Sequence, residues 1–430
     1  MEFRQHQLAN GLTILAECNP EAYFGACGIF VRAGSRDETS EVSGVSHFLE
    51  HMVFKGTPKR SAEQVNLDLD LLGSSSNART GEESTIYHAA VLPEFQTDVV
   101  ELLTDLMRPA LRLEDFETEK KVIIEEIMMY QDQPPYGGQE QLMLEYFGDH
   151  PLGQSVLGSV ESVGNLTPER MRAYFQQRYS PGNMALIAAG KIDFPRLVSD
   201  AERFCGDWVP YPVSRQIIRA VPHSGFSTLH KPSSSLQYVL QLTPGPATED
   251  EDRFAMRILG TILGDDSGSR IFWKMLDSGL AESAAVISNE YLGSGLVMSY
   301  FCCEPSKAQE NLHLLTEIHQ DAVAGVTARE LELAKQKIVS HILLASERTE
   351  ARMFSVGGQW LNDQAFKSPA EIADQYSRIT LDEVNAVARK YPLTGGRTIS
   401  IGPCTNHFSS TNLSLSMVTI RSASIIEPSA

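Results

Sequence analysis

The stretch that decides the reading is Gly44-Val45-Ser46-His47-Phe48-Leu49-Glu50-His51-Met52-Val53-Phe54. Val45, Phe48, Leu49 and Met52 recur at helical spacing, so residues 44 to 54 are predicted to form an amphipathic helix. His47 and His51 stand one turn apart on one face, and Glu50 shares that side. Two imidazoles so placed can bind one zinc, and Glu50 can take a proton from a water activated by the metal. The order is H-x-x-E-H, the inverse of H-E-x-x-H. The plain alternative is two histidines that merely share a helix face beside a solvated glutamate.

A tetrahedral catalytic zinc takes a third protein ligand and keeps one position open. The long acidic helix expected from Leu113 through Met129 offers Glu114, Glu117, Glu119, Glu125 and Glu126. Glu119 and Glu126 are two turns apart and can face the same way, whereas Glu125 points about 100° away from Glu126. Spacing leaves the choice among these acids open, since any of them can be a solvated face.

Outward from the helix, the pattern alternates between strands and helices. Strands are expected over 12–17, after the Asn10-Gly11 turn, and over 23–31. A helix over 61–72 has Ser61 as its cap and Gly73 as its stop. Residues 77–90 read as a strand pair or one long strand, 95–107 as a helix, and Asp132-Gln133-Pro134-Pro135 as the break that ends the acidic helix. Thr167-Pro168-Glu169 opens another helix, and 184–189 reads as a buried strand. Prolines interrupt the pattern in a junction over 205–230. The same grammar then returns: a strand over 236–242, a helix over 249–263, a Gly-rich turn at 264–268, strands within 283–301, and helices over 307–324 and 328–347. The expected fold class is α+β, with two similar domains, residues 1–210 and 211–430, each an antiparallel-rich mixed sheet covered by helices. The Ser/Thr-rich tail from Ser409 is expected to be irregular or a strand fragment.

Length and charge bound the function. A chain of 430 residues fits two domains of about 200 residues better than one core. Thirty-six Lys and Arg against 55 Asp and Glu give a net charge of -19, which repels nucleic acid phosphates, so no nucleic acid partner is expected. The first residues lack an apolar signal core and no run of 18 apolar residues follows, so the expectation is no membrane span and a cytoplasmic location. The six cysteines form no CxxC pair, which argues against a disulfide framework and suits a reducing compartment.

The chain resembles the pitrilysin-type zinc metallopeptidases, peptidase family M16, and especially their mitochondrial-processing-peptidase-like subfamily. The resemblance rests on His47 to Met52, Phe54-Lys55-Gly56-Thr57, the Gly73 to Thr80 segment leading to Tyr87, and Glu119 to Ile127. Pro151-Leu152-Gly153, Tyr179 to Met184, and Ser269-Arg270-Ile271-Phe272 extend it over nearly the whole chain. It implies a mitochondrial-processing-peptidase-like metallohydrolase fold, one Zn2+ per chain held by His47, His51 and Glu126, and Glu50 as the catalytic base. It also implies that Glu119 supports the site by orienting a ligating histidine. Ser74, Ser75, Ser76, Asn77, Ala78, Arg79 and Thr80 would form the edge strand that aligns an extended peptide through main-chain bonds.

One departure bears on partners. Family members that complete the site themselves carry an Arg and a Tyr after the segment matched by Ser269 to Phe272; here Leu276 and Glu282 stand in those places. Neither can donate to a developing oxyanion. The resemblance therefore implies the metal-bearing subunit of a heterodimer, with a homologous non-zinc partner supplying Arg and Tyr, or alternatively a homodimer using another donor. The function expected is a zinc-dependent endopeptidase acting on oligopeptides or unfolded, presequence-like segments. A non-catalytic structural or peptide-binding subunit of the same fold is the rival.

Overall fold

The computed structural model describes residues 1–404; the tail expected to be irregular from Ser409 lies outside the described residues. In chain order the first half contains β1 (Glu2–Gln7), β2 (Thr13–Cys18), β3 (Gly25–Val31), α1 (Val45–Val53), α2 (Ala62–Leu71), β4 (Ser75–Thr80), β5 (Thr85–Val91), α3 (Gln96–Leu106), α4 (Leu113–Asp132), α5 (Tyr136–Phe147), α6 (Val160–Asn165), α7 (Pro168–Arg178), β6 (Met184–Gly190) and α8 (Phe194–Cys205). A connector without regular structure, 207–224, leads to the second half. That half contains β7 (Gly225–His230), β8 (Gln237–Gly245), α9 (Asp252–Gly264), β9 (Ser283–Tyr291), β10 (Ser294–Cys303), α10 (Ala308–Ala324), α11 (Ala328–Ser346), α12 (Thr349–Leu361), α13 (Pro369–Arg378), α14 (Leu381–Lys390) and β11 (Arg397–Gly402).

The two sheets share one plan. The first has the order β1-β2-β6-β3-β5-β4 and the second β7-β11-β8-β10-β9. In each, the opening strand pairs parallel with the last-formed strand (β2 with β6, β7 with β11), and all further pairings are antiparallel. The first sheet adds β1 outside β2. This is the α+β architecture expected, with mixed, antiparallel-rich sheets covered by helices. β4 and β9 occupy the same place in the plan, each at a sheet edge.

Local signals explain where many elements begin and end. The Ser61 side chain accepts from the backbone N–H of Gln64 at the start of α2, and Gly73, at φ 57, provides the left-handed turn into β4. Thr167 caps α7 in the same way, with Pro168 at its first position. The 77–90 stretch is resolved as the hairpin pair β4 and β5. β7 falls inside the stretch read as an irregular junction: its exposed and half-buried side chains and short length give little apolar signal, and pairing with β11 holds it.

Each sheet has a core on both faces. The main helices of the first half cover one face of the first sheet, joining Ile14, Ile29 and Leu186 to Phe48, Val99, Phe116 and Ile123. Its other face, with Phe30, Ile86 and Ile187, is covered by Met353 and Val356 of α12, a helix from the second half. Reciprocally, Leu142, Tyr146 and Phe147 of α5, a helix from the first half, cover Leu240, Leu296 and Ile401 of the second sheet. Glycines permit both close approaches. A Cβ at Gly138 would lie 2.0 Å from Ile401 Cδ1, and one at Gly357 would lie 2.1 Å from the Phe30 ring. A buried ion pair, Arg352 to Glu17, ties α12 to β2, with Nε to Oε1 at 2.8 Å.

The tips of the β4–β5 and β9–β10 hairpins also meet. The Glu83 carboxylate accepts from the Leu292 N–H at 3.2 Å, and Arg36 bridges Glu83 and the Leu292 carbonyl, both at 2.6 Å.

Candidate metal centre

Helix α1 starts without a side-chain cap of its own, at Gly44 in the left-handed region (φ 89). A Cβ there would lie 2.6 Å from the Leu157 carbonyl oxygen, so glycine is required sterically as well as conformationally. The free N–H groups at this end are taken by the buried Glu38 carboxylate, which accepts from Gly44 at 2.7 Å and Ser46 at 2.8 Å. Phe48, Leu49 and Met52 face the core, which turns His47 and Glu50 toward the cleft and His51 toward Glu126 of α4.

Among the five glutamates of α4 the packing separates two groups. Glu114, Glu117 and Glu125 are exposed, Glu119 is buried and Glu126 half-buried. His51 Nε2 lies 3.6 Å from Glu126 Oε2, and His47 Nε2 lies 3.9 Å from the same oxygen. One ligand atom from each of the three residues lies within 4.8 Å of the other two. Glu119 instead contacts His51 Nδ1 at 2.8 Å through Oε1 and the Lys55 ammonium at 2.6 Å through Oε2. His47 Nδ1 is buried with no hydrogen-bond partner in the structure.

The electrostatics follow from this packing. Burial, with the neighbouring His51 adding to it, pushes His47 down to about 4, so this ring is a neutral nitrogen donor near pH 7. For His51 burial works downward, but the Glu119 hydrogen bond and the charges of Glu126, Glu119 and Glu50 outweigh it and raise the pKa. Burial raises Glu50 against the hydrogen bond from Thr80 and the charge of His51, with Glu126 raising it further. Burial would raise Glu119 too, yet its bonds to His51 and Lys55 hold it below the ordinary carboxylate range. Two imidazoles and one carboxylate converging on an open cleft form the donor set of a catalytic zinc, so the residues present fit that ion.

The predicted substrate strand lies beside this cluster. Ser75 to Thr80 form β4, whose one strand partner among the described residues is β5, which leaves its outer edge unpaired among them; Ser74 precedes it and donates to the Leu69 carbonyl at 2.9 Å. Thr80 Oγ1 donates to Glu50 Oε2 at 2.5 Å, joining the strand to the metal helix. The cleft between them, about 520 Å³, is lined by His47, Glu50, Thr80 and Glu126. Tyr136, Glu140 and Met143 of α5 line its far wall. Sequence reasoning missed these α5 residues, because Gly137 and Gly138 after the two prolines dilute the helical period. It also missed Glu38 and Lys55, whose roles come from contacts distant in the chain. The buried stripe Phe116, Ile123 and Ile127 was the available signal for Glu119, which lies on that stripe. Leu276 packs against the second core and Glu282 is exposed, and neither side chain is a cationic or phenolic donor.

An inverted pair of helical histidines with a carboxylate from a second helix defines the metallopeptidase type of centre. Comparison with known proteins agrees. The family described as "Insulinase (Peptidase family M16)" matches residues 13–160, and "Peptidase M16 inactive domain" matches 165–338. An "Uncharacterized zinc protease" of Mycobacterium bovis is 32% identical over 393 residues, covering 90% of each chain. One of Bacillus subtilis is 29% identical over 394 residues, covering 90% of this chain and 95% of the other. Among solved structures, a protease from Helicobacter pylori superposes with a TM-score of 0.88 at 19% identity, covering 93% of this chain and 99% of that one. A peptidase M16 inactive domain from Pseudomonas fluorescens gives 0.87 at 17% identity, covering 94% and 98%. The chain belongs to peptidase family M16. All six cysteines are free, and no helix among the described residues is long and apolar enough to cross a membrane.

Proposed function

We propose that this chain is a zinc-dependent endopeptidase of the H-x-x-E-H type, binding one Zn2+ through His47, His51 and Glu126 and cleaving oligopeptides or unfolded, presequence-like segments in the cytoplasm. The observation that carries the reading is the convergence of those three ligand atoms within 4.8 Å, with Glu50 on the same helix and an open strand edge beside it. Zinc in this position supplies Lewis acidity, which acidifies water and polarises a peptide carbonyl.

The chain's own residues do the rest. β4 aligns the peptide as an added strand through its free N–H and C=O groups. Glu50, with Oε2 held by Thr80, takes the proton of the attacking water and returns it to the leaving amine. Glu119 fixes the His51 ring through Nδ1, so that Nε2 faces Glu126 and the cleft.

We assign residues 1–210 as the zinc-bearing domain and 211–430 as its inactive homologue. Leu276 and Glu282 leave the second half without an oxyanion donor at those places, which supports a heterodimer with a homologous partner supplying Arg and Tyr; a homodimer is the alternative. The test is Glu50→Gln in the full chain, alone and with any co-purifying partner. Zinc content equal to the wild type with peptide hydrolysis abolished is expected; hydrolysis near the wild-type rate sinks the assignment.

A further inference from the structure

We propose that Arg79 makes the cleft selective for peptides carrying an acidic side chain at the one position that faces Arg79 across the β4 edge. This deepens the peptidase reading and rests on its use of β4 as the peptide-aligning edge.

Side chains alternate along β4. Ala78 and Thr80 point to the α1 side, where Ala78 packs on the first core and Thr80 bonds Glu50. Arg79 points to the other side, where α12 crosses over from the second half. Its guanidinium lies 4.6 Å from the centre of the Phe354 ring, which holds it in place by a cation–π contact. It has no hydrogen bond or ion pair to any side chain among the described residues. Arg32, Arg36 and Arg60, by contrast, each pair with a carboxylate. His88 of β5 is near enough for the Arg79 charge to act on it, and Glu350 of α12 lies 3.6 Å from His88 Nδ1; burial, opposed by Glu350 and reinforced by Arg79, lowers the His88 pKa. Arg79 is exposed at the sheet edge, and partial burial of its side chain lowers its pKa.

Arg79 is the one Lys or Arg bordering the cleft, and its guanidinium leaves β4 on the face opposite Glu50, over the Phe354 ring. An added strand places its directly opposed side chain on the same face, with Cβ atoms about 4.5–5.5 Å apart. An Asp or Glu there reaches the guanidinium, which can bind it bidentately. Arg79 is the one charged residue of β4, so the preference is confined to one position. The competing role for Arg79 is a solvated charge that merely keeps this edge from pairing with other chains.

The experiment uses the full, zinc-loaded chain and quenched peptides of fixed length in which Glu, Gln or Lys is placed at each position in turn. The wild type is expected to favour Glu over Gln about tenfold in kcat/KM at a single position, equivalent to about 1.4 kcal/mol. Arg79→Gln should bring that ratio to about one, and Arg79→Glu should invert it toward Lys. Equal ratios in the wild type and both variants overturn the proposal. If the wild type cleaves no peptide, the peptidase reading fails, and calorimetric binding of the same peptides to the zinc-loaded chain decides the Arg79 proposal separately. An Arg79-dependent preference for Glu upholds it; equal affinities, or no binding of any peptide, overturn it.

Discussion

Replacing Glu119 by Gln is expected to weaken zinc binding about tenfold while leaving the apo fold nearly unchanged. Glu119 is 4% exposed and accepts from His51 Nδ1 at 2.8 Å while its other oxygen holds the Lys55 ammonium at 2.6 Å. A hydrogen bond to a charged group contributes about 1.5–3 kcal/mol and a neutral one about 0.5–1.5. Gln keeps an acceptor for His51 but loses the charge, so roughly 1–1.5 kcal/mol of ring orientation and basicity is lost, close to one decade in affinity. Glu119→Leu removes the acceptor as well and should approach a hundredfold, the upper end for partners of ligating histidines. Lys55 is 37% exposed at its side chain and can turn to water, which keeps the folding cost of the Gln variant small. A competition titration against a chromophoric chelator measures the affinity, and urea unfolding of the apo protein measures the fold. A Gln variant with zinc affinity within twofold of the wild type would refute the orienting role.

Three further perturbations test the packing and charge. Gly357→Ala places a Cβ against the Phe30 ring; overpacking of about 1–3 kcal/mol exceeds the gain of about 1 kcal/mol from removing a helical glycine, so the urea midpoint should fall. Arg352→Ala leaves the Glu17 carboxylate buried without its partner and should cost about 3–5 kcal/mol, read by the same unfolding curves, whereas an unchanged midpoint would show the pair to be dispensable. Burial pulls Glu330 upward, but bonds from Arg270 and Thr327 outweigh it and hold its pKa at about 2. Its contribution is therefore present above the ordinary carboxylate range and is lost as pH falls toward about 2, and Glu330→Gln should flatten the acid limb of a stability-against-pH curve.

Legibility in the sequence followed the range of the interactions. His47, Glu50 and His51 could be read because helical spacing alone puts them on one face. Glu126 could not be separated from four other acids by spacing, since what selects it is the docking of α4 against α1, a contact between segments far apart in the chain. The strands β3 and β6 announced themselves as apolar runs, and the caps Ser61 and Thr167 marked their helices. β7, α5 and α12 did not, because their neighbours come from the opposite end of a sheet or from the other half. The family resemblance filled the metal shell where periodicity stopped, and it gave no indication of Glu38 at the start of α1 or of α5 in the cleft wall.

The exchange of α5 and α12 has a consequence for how the molecule could be taken apart. Neither half, made alone, could shield both sides of its own sheet: one would expose Phe30, Ile86 and Ile187, the other Leu240, Leu296 and Ile401. A protease that nicked the connector at its exposed stretch, 216–219, would sever the covalent link but leave a clasp of two interleaved fragments that co-elute until denatured. The segment 207–224 is thus a tether for assembly more than a hinge on which the finished molecule depends.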